Sequence, residues 1–417
     1  MVKSVVLCIF LTALPYELCS QESQSKPSNL AATTLAGLPC AKFLSNGNLL
    51  TAKAVGADLQ VEIKTQSKAL APLHFTLDEP EIEGGLVAGG IGWPSCTVSA
   101  DTTNHLAAVG IPVLVSKAGK VTRETFLAVI NLDAHEWGPH RLVGDSNKTV
   151  MFPQLIGFLD DSDKLLVVTD LLFYDGPARF DSEIIDAATG NIESARAVEM
   201  GQFGPIWKFF FDARNNCVWV ESGHEKSRRH TLQAVSLSDV QRLGPNVDLT
   251  KLKHDHWLAD WGRVNAMAFP SPNTIIFADT GASMGFEPSH LWVMDLSNGS
   301  VRIVDLPKDT GEVLLHGLGF SWFEDVDSPA VLSPDGRFVA VPITLTKTGP
   351  PYIVDNYISA GVRFVIVDLM RLRILSSVTL KDSRAPLSFA LDHRDGKVTL
   401  LVNTSDAWKS QEFAAPE

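Results

Sequence analysis

The chain has 417 residues, with 48 Asp plus Glu against 35 Lys plus Arg and a formal charge of −13. That balance excludes a nonspecific nucleic-acid binder held by phosphate neutralisation. At this length the chain is two or three domains or one large repeat ring.

The first residues read "MVKSVVLCIFLTALPYELCS": Lys3, an apolar run from Val5 to Leu14, then small and polar residues up to Ser20. This is the pattern of a secretory signal peptide over 1–20, and the run is too short for a spanning helix, which needs about twenty apolar residues. The expectation is an exported protein, secreted or periplasmic, with no transmembrane span in the mature chain. Leu18 sits where a lipid anchor on Cys19 would want a small residue. Residues 21–38 are rich in Ser, Gln, Thr and Ala and read as a flexible segment. Beyond the signal stand Cys40, Cys96 and Cys217, an odd number that makes no disulfide framework. Cys40 and Cys96 each open the first strand of a repeat, so the pair is permitted but not required; Cys217, in "NNCVWV", reads as a small buried apolar residue.

One pattern, apolar run, polar turn, apolar run, then recurs seven times. Its copies are "AKFLSNGNLLTA", "CTVSADTTNHLAAVG", "LIGFLDDSDKLLVVTD", "KFFFDARNNCVWVES", "AMAFPSPNTIIFAD", "AVLSPDGRFVAVPI" and "LSFALDHRDGKVTLLVN". Between them lies a second hairpin, clearest in "HLWVMDLSNGSVRIVDL" and "RFVIVDLMRLRILSSVTL". Each unit is therefore a four-stranded antiparallel sheet that cannot bury both faces alone, and radial packing around an axis solves this. The predicted fold is all-β: a β-propeller over 39–405 followed by a C-terminal tail, 406–417. Seven first hairpins but six second hairpins favour seven blades with an incomplete last one, six being the alternative.

"LSPDGRFVAV", followed by "RFVIVDLMRLRILSSVTL", resembles exported bacterial β-propellers of the WD40-like, YVTN and TolB-like groups. The resemblance implies the fold and an exported compartment. Those groups include scaffolds, lactonases and dehydrogenases, so it implies no particular activity.

In such a ring the turns within both hairpins fall on one rim. Most of them are short. The opposite rim carries long connections, among them "DLLFYDGPARFDS", "DTGASMGFEPS", "TLTKTGPPYIVDNYISAG" and "TKLKHDHWLADWGR". Long loops in compact domains are uncommon and often functional, so the long-loop rim is the expected recognition face. "HDHWLADW" supplies His254, His256, Asp260 and Trp261; the two alternate His are weak candidates for a divalent metal, since a third ligand must come from elsewhere. "HEKSRRH" offers Arg228 and Arg229 to a carboxylate or phosphate, with a solvated loop as the default. "SWFEDVDSP" places Asp325 and Asp327, with Trp322 beside them, before an innermost strand, where turn capping is the preferred reading. "GASMG" matches the spacing of a nucleophile elbow around Ser283 but has no room for the helix that motif needs.

The expected function is a noncatalytic propeller, a monomer, that binds a protein, peptide or glycan through its long-loop face; no cofactor is predicted. The alternative is a propeller enzyme, a lactonase-like hydrolase or quinoprotein-type dehydrogenase, with a site at the channel mouth. No catalytic residue can be assigned.

Overall fold

The computed structural model describes residues 40–55, 58–65, 70–76, 82–86, 97–101, 103–117, 120–143, 155–159, 162–172, 179–201, 206–213, 215–224, 229–249, 264–271, 273–279, 290–306, 313–314, 330–347, 358–381, 389–403 and 408–415. The chain divides into two units, Met1–Thr33, which lies outside the described residues, and Thr34–Glu417.

The second unit is a seven-bladed β-propeller, each blade an antiparallel sheet built from consecutive strands. Blade 1 contains β1 (Cys40–Phe43), β2 (Leu49–Val55), β3 (Asp58–Lys64) and β4 (Leu73–Thr76). β5 (Ile82–Leu86), β6 (Thr97–Ala100), β7 (Leu106–Lys117), β8 (Lys120–Asn131) and β9 (Glu136–Val143) form blade 2. In blade 3 the strands are β10 (Leu155–Phe158), β11 (Lys164–Leu172), β12 (Arg179–Asp186) and β13 (Ile192–Glu199). Blade 4 runs through β14 (Ile206–Asp212), β15 (Cys217–His224), β16 (Arg229–Ser236) and β17 (Arg242–Asp248). Blade 5 has β18 (Val264–Ser271), β19 (Thr274–Asp279), β20 (His290–Asp295) and β21 (Val301–Asp305). Blade 6 has β22 (Val313–Leu314), β23 (Val331–Leu332), β24 (Phe338–Lys347), β25 (Ile358–Asp368) and β26 (Arg373–Lys381). Blade 7 ends the chain with β27 (Phe389–Arg394), β28 (Lys397–Asn403) and β29 (Trp408–Ala414).

Seven blades with an incomplete last one is the arrangement the hairpin count favoured. The segment read as a tail contributes β29, which pairs with β28 from Asn403↔Trp408 to Lys397↔Ala414. Its residues, "WKSQEFA", are mostly exposed, and this polar composition hid a strand from an apolar pattern search.

Period-two alternation gives every blade two apolar faces, and the core is a set of clusters between neighbouring blades. Leu50, Val61, Phe126 and Ile130 join blades 1 and 2. Val129, Ile156 and Leu165 join 2 and 3, and Phe180, Val218 and Val235 join 3 and 4. Trp219, Phe277 and Trp292 fill the 4/5 interface, where the last two rings stack at 5.9 Å. Val293, Val339 and Val365 join 5 and 6, and Phe338, Phe364 and Leu391 join 6 and 7. Cys217 is a free thiol buried in the 4/5 cluster, as expected. Cys40 is disulfide-bonded, and its partner lies outside the described residues.

The strands reach further into the connections than the sequence pattern indicated. β11 and β12 leave six residues of "DLLFYDGPARFDS" between them, and β7 and β8 are separated only by residues 118 and 119. Backbone ladders capture any extended segment whose partner is in register, whether or not its side chains alternate. In blades 2 and 6 the innermost position is split. β6 pairs with the first part of β7 and β5 with a later part at Val113 and Val115; likewise β23 and β22 share β24. In both blades the second strand therefore runs on towards the long-loop rim past its first inner partner and takes up a second one, in blade 2 over about 20 Å for the six residues from Pro112 to Lys117 at 3.3 Å each.

Candidate functional site: the long-loop rim

The two rims bury different kinds of charge. On the turn rim, buried or nearly buried carboxylates serve the turns themselves. Asp368, 0% exposed, accepts the N–H groups of Met370 (3.0 Å) and Arg371 (3.1 Å) and the guanidinium of Arg371 (3.1 Å). Asp212 does the same for Asn215, and Asp101 accepts the N–H of Leu106 at 3.0 Å. The exposed Asp335 serves its turn likewise, accepting the N–H of Arg337 at 3.1 Å and meeting Nδ1 of His393 in the next blade at 2.6 Å. These are Asx turns, with an acidic side chain replacing a backbone acceptor.

Towards the long-loop ends of the middle strands, the buried charges are of another type. Glu124 in β8 is 4% exposed, Glu221 in β15 0%, His290 at the start of β20 1%, and Arg363 in β25 3%. Three of the four lie inside strands, away from any turn they could cap. Alternation places each on an apolar face between blades. Glu124 shares the side of Phe126 and Ala128, facing blade 1, and Arg363 shares that of Val365 and Val367, facing blade 5. Glu221 lies on the side of Cys217 and Trp219, and His290 on that of Trp292 and Met294, so both belong to the 4/5 interface. The His290 ring meets Trp292 edge-on at 5.9 Å, and its Nε2 lies 3.7 Å from Oδ1 of Asp305, an exposed carboxylate at the end of β21. Arg363 donates from Nε to Thr379 Oγ1 at 3.4 Å. In these three interfaces, 1/2, 4/5 and 5/6, two acids, an imidazole and a guanidinium sit towards the level where the long connections begin.

Of the residues singled out from sequence, His254, His256, Asp260, Trp261, Arg228, Trp322, Asp325 and Asp327 lie outside the described residues, as do Cys96 and Ser283. Arg229 is placed by its backbone alone, opening β16 opposite His224. Among the described residues there is no group of three His, Cys, Asp or Glu that could hold a metal ion. Sequence reading passed over Glu124, Glu221, His290 and Arg363, although each carries a signal: a charge at an inward parity of an apolar strand, as in "VWVES" and "VRFVIVD".

The described part of the turn rim also holds a small crevice of about 60 Å³ between blades 3 and 4, lined by Ser182, Ser194, Arg196, Asn216 and Ser238. Leu166, Ile184 and Leu237 complete its lining.

No family model matches the chain, and no curated protein matches it. Solved structures do. Hydrazine synthase of Kuenenia stuttgartiensis aligns over 95% of this chain and 99% of its own, at 10% identity and a TM-score of 0.50. Prolyl oligopeptidase B of Galerina marginata, solved with a 35mer substrate, aligns over 91% of this chain at 11% identity and a TM-score of 0.50. This chain spans 49% of that enzyme. The β-propeller domain of the trilobed protease of Pyrococcus furiosus aligns over 91% at 11% identity and a TM-score of 0.47. At these identities the likeness is one of fold: the chain is a β-propeller. Among the described residues no helix is long and apolar enough to cross a membrane.

Proposed function

We propose that the chain is an exported, noncatalytic β-propeller that binds a protein, peptide or glycan across its long-loop rim, working as a monomer and without a cofactor. The observation that carries this reading is the burial of Glu221, His290, Arg363 and Glu124 beneath that rim. Ionisable side chains withdrawn from water must be held by hydrogen bonds or partners, and apolar residues of similar size would close the interfaces without that requirement. Turn-rim aspartates are accounted for by the turns they hold; the four at the other rim have no turn to build. Acidic and basic side chains together under a rim suit recognition of a polar ligand, because electrostatic complementarity sets register and rejects wrong partners. The disulfide on Cys40 supports export, since such bonds persist in oxidising compartments, and so does the N-terminal apolar run.

The test begins with screening the purified mature protein against a peptide library and a glycan array. Hits are then retested with Glu221→Gln, Arg363→Gln and, on the opposite rim, Met370→Asp. The expected result is at least tenfold weaker binding for the first two and none lost for the third, with thermal midpoints measured on the same samples. Retention of every hit by both rim variants would contradict the proposal.

A further inference from the structure

Blade 3 changes character along the face it turns to blade 4. In its long-loop half, Phe180 and Val198 lie opposite each other across β12 and β13, both 0% exposed, and close the interface. Towards the turn rim the same face carries two further rows: Ser182 opposite Arg196, then Ile184 opposite Ser194 with Leu166 beside it on β11. A serine side chain is too small to fill the space that Phe180 fills one pleat away, and the crevice of about 60 Å³ is what remains. Blade 4 faces it with two turns, Asn216 between β14 and β15 and Leu237 and Ser238 between β16 and β17. These turns are tied together, the Leu237 N–H donating to the Asn216 carbonyl at 3.0 Å and Asn216 Nδ2 to Ser238 Oγ at 2.6 Å.

The polar groups around this crevice are donors without acceptors. Ser182 is 6% exposed, and among the described residues neither its hydroxyl nor that of Ser194 has a hydrogen-bond partner. Buried polar groups are nearly always paired, so an unpaired one at the wall of a crevice points to a partner from outside the chain. Ser238 accepts from Asn216, which leaves its own O–H to donate. The exposed guanidinium of Arg196 makes no ion pair or hydrogen bond among the described residues. Asp239, beside Ser238, is held below its ordinary value chiefly by the Ser236 hydroxyl and in part by the charge of Arg196, which therefore reaches across to the turns of blade 4. Three hydroxyls and a guanidinium around a half-apolar space fit an anionic acceptor on a short hydrocarbon stem. An apolar cavity of about 150 Å³ takes benzene, so about 60 Å³ limits the occupant to the size of acetate or propionate. We propose that the crevice between blades 3 and 4 binds a short-chain carboxylate, its oxygens on the donors of Arg196, Ser182, Ser194 and Ser238 and its stem against Ile184 and Leu237. The site is independent of recognition at the long-loop rim.

Saturation-transfer NMR on the full purified protein at neutral pH tests this with propionate and propionamide as the probes. Saturation should pass from the protein to the methyl protons of millimolar propionate, and propionamide, matched in size but uncharged, should bind at least about tenfold more weakly. Arg196→Gln, at an exposed position that tolerates the change, should weaken propionate binding about tenfold or more. Ser182→Leu, which fills the crevice, should abolish it, and Arg302→Gln, an exposed arginine of blade 5, should leave it unchanged. Thermal melts on the same samples report whether Ser182→Leu is folded, and Arg196→Gln decides the question if it is not. No propionate signal in the wild type, binding kept in full by Arg196→Gln, or equal binding of propionamide would overturn the proposal.

Discussion

Two residues carry sharp expectations because their surroundings are well defined. Burial in the 4/5 cluster pushes the Cys217 thiol up to about 12, with Asp212 adding to the shift. The thiolate is the reactive form, so Cys217 should resist a thiol reagent at pH 8 in the folded protein and react fully once urea unfolds it. Asp368 behaves in the opposite sense. Burial alone would raise its carboxyl, but the Arg371 N–H and guanidinium, with Arg337, outweigh burial and hold it below the ordinary value of 3.8. A depressed folded value means stability fully present above the unfolded value and lost as pH falls through the folded one. Wild type should therefore lose stability below about pH 4 more steeply than Asp368→Asn, as measured by urea melts across pH 2–6. At neutral pH the variant should be less stable by about 3 kcal/mol, because two guanidinium groups lose a buried partner. The sequence pointed to few such residues. "FVIVDL" announces a strand and its end, but that its Asp is fully buried depends on Arg337 from a turn thirty-one residues away.

At the level of elements, the turns were the most readable feature. "SPDG" forms the tight turn its residues predict: the Gly336 N–H bonds the Ser333 carbonyl at 2.8 Å, and Gly336 sits at φ +70°. Gly336→Ala should cost about 1–2 kcal/mol by thermal melt, since the new methyl group also meets the Pro270 carbonyl of the neighbouring blade at 3.3 Å. Recurrent Asx turns were present in the two quoted second hairpins too, at Asp295 and Asp368, and Asp186 makes the corresponding turn in blade 3. Strand ends were harder, because backbone pairing continues into segments such as Gly-rich "IEGGL" where no side-chain pattern marks it. Fully buried Phe364 belongs to the 6/7 cluster, so Phe364→Ala should lower stability by about 3–5 kcal/mol. The same truncation of exposed Met370 should be almost silent.

For the whole molecule, repeat spacing was enough to give a ring of sheets and to favour seven over six, because each sheet leaves two apolar faces that only neighbours can cover. Closure was not readable in the same way: the join between first and last blades depends on which residues alternate outward at both ends of the chain. The candidate site was less readable still. Charges at inward parities look like interruptions of an apolar pattern until the blades are assembled and all four are seen to share one rim. Two Asn-X-Ser/Thr acceptor motifs lie among the described residues, Asn298, exposed in a turn, and Asn403, 4% exposed within β28, so only the former of these two is accessible in the folded chain.

The account rests on recognition at the long-loop rim, and site-specific photo-crosslinking tests it most directly. A crosslinking amino acid would be placed at Thr76, Glu199 or Asp305, exposed at the long-loop ends of outer strands, and at Ser238, Asn298 or Met370 on the turns opposite. With a ligand obtained from the screen, adducts should form from the first three positions and be absent from the last three. Adducts confined to the turn positions would contradict the account.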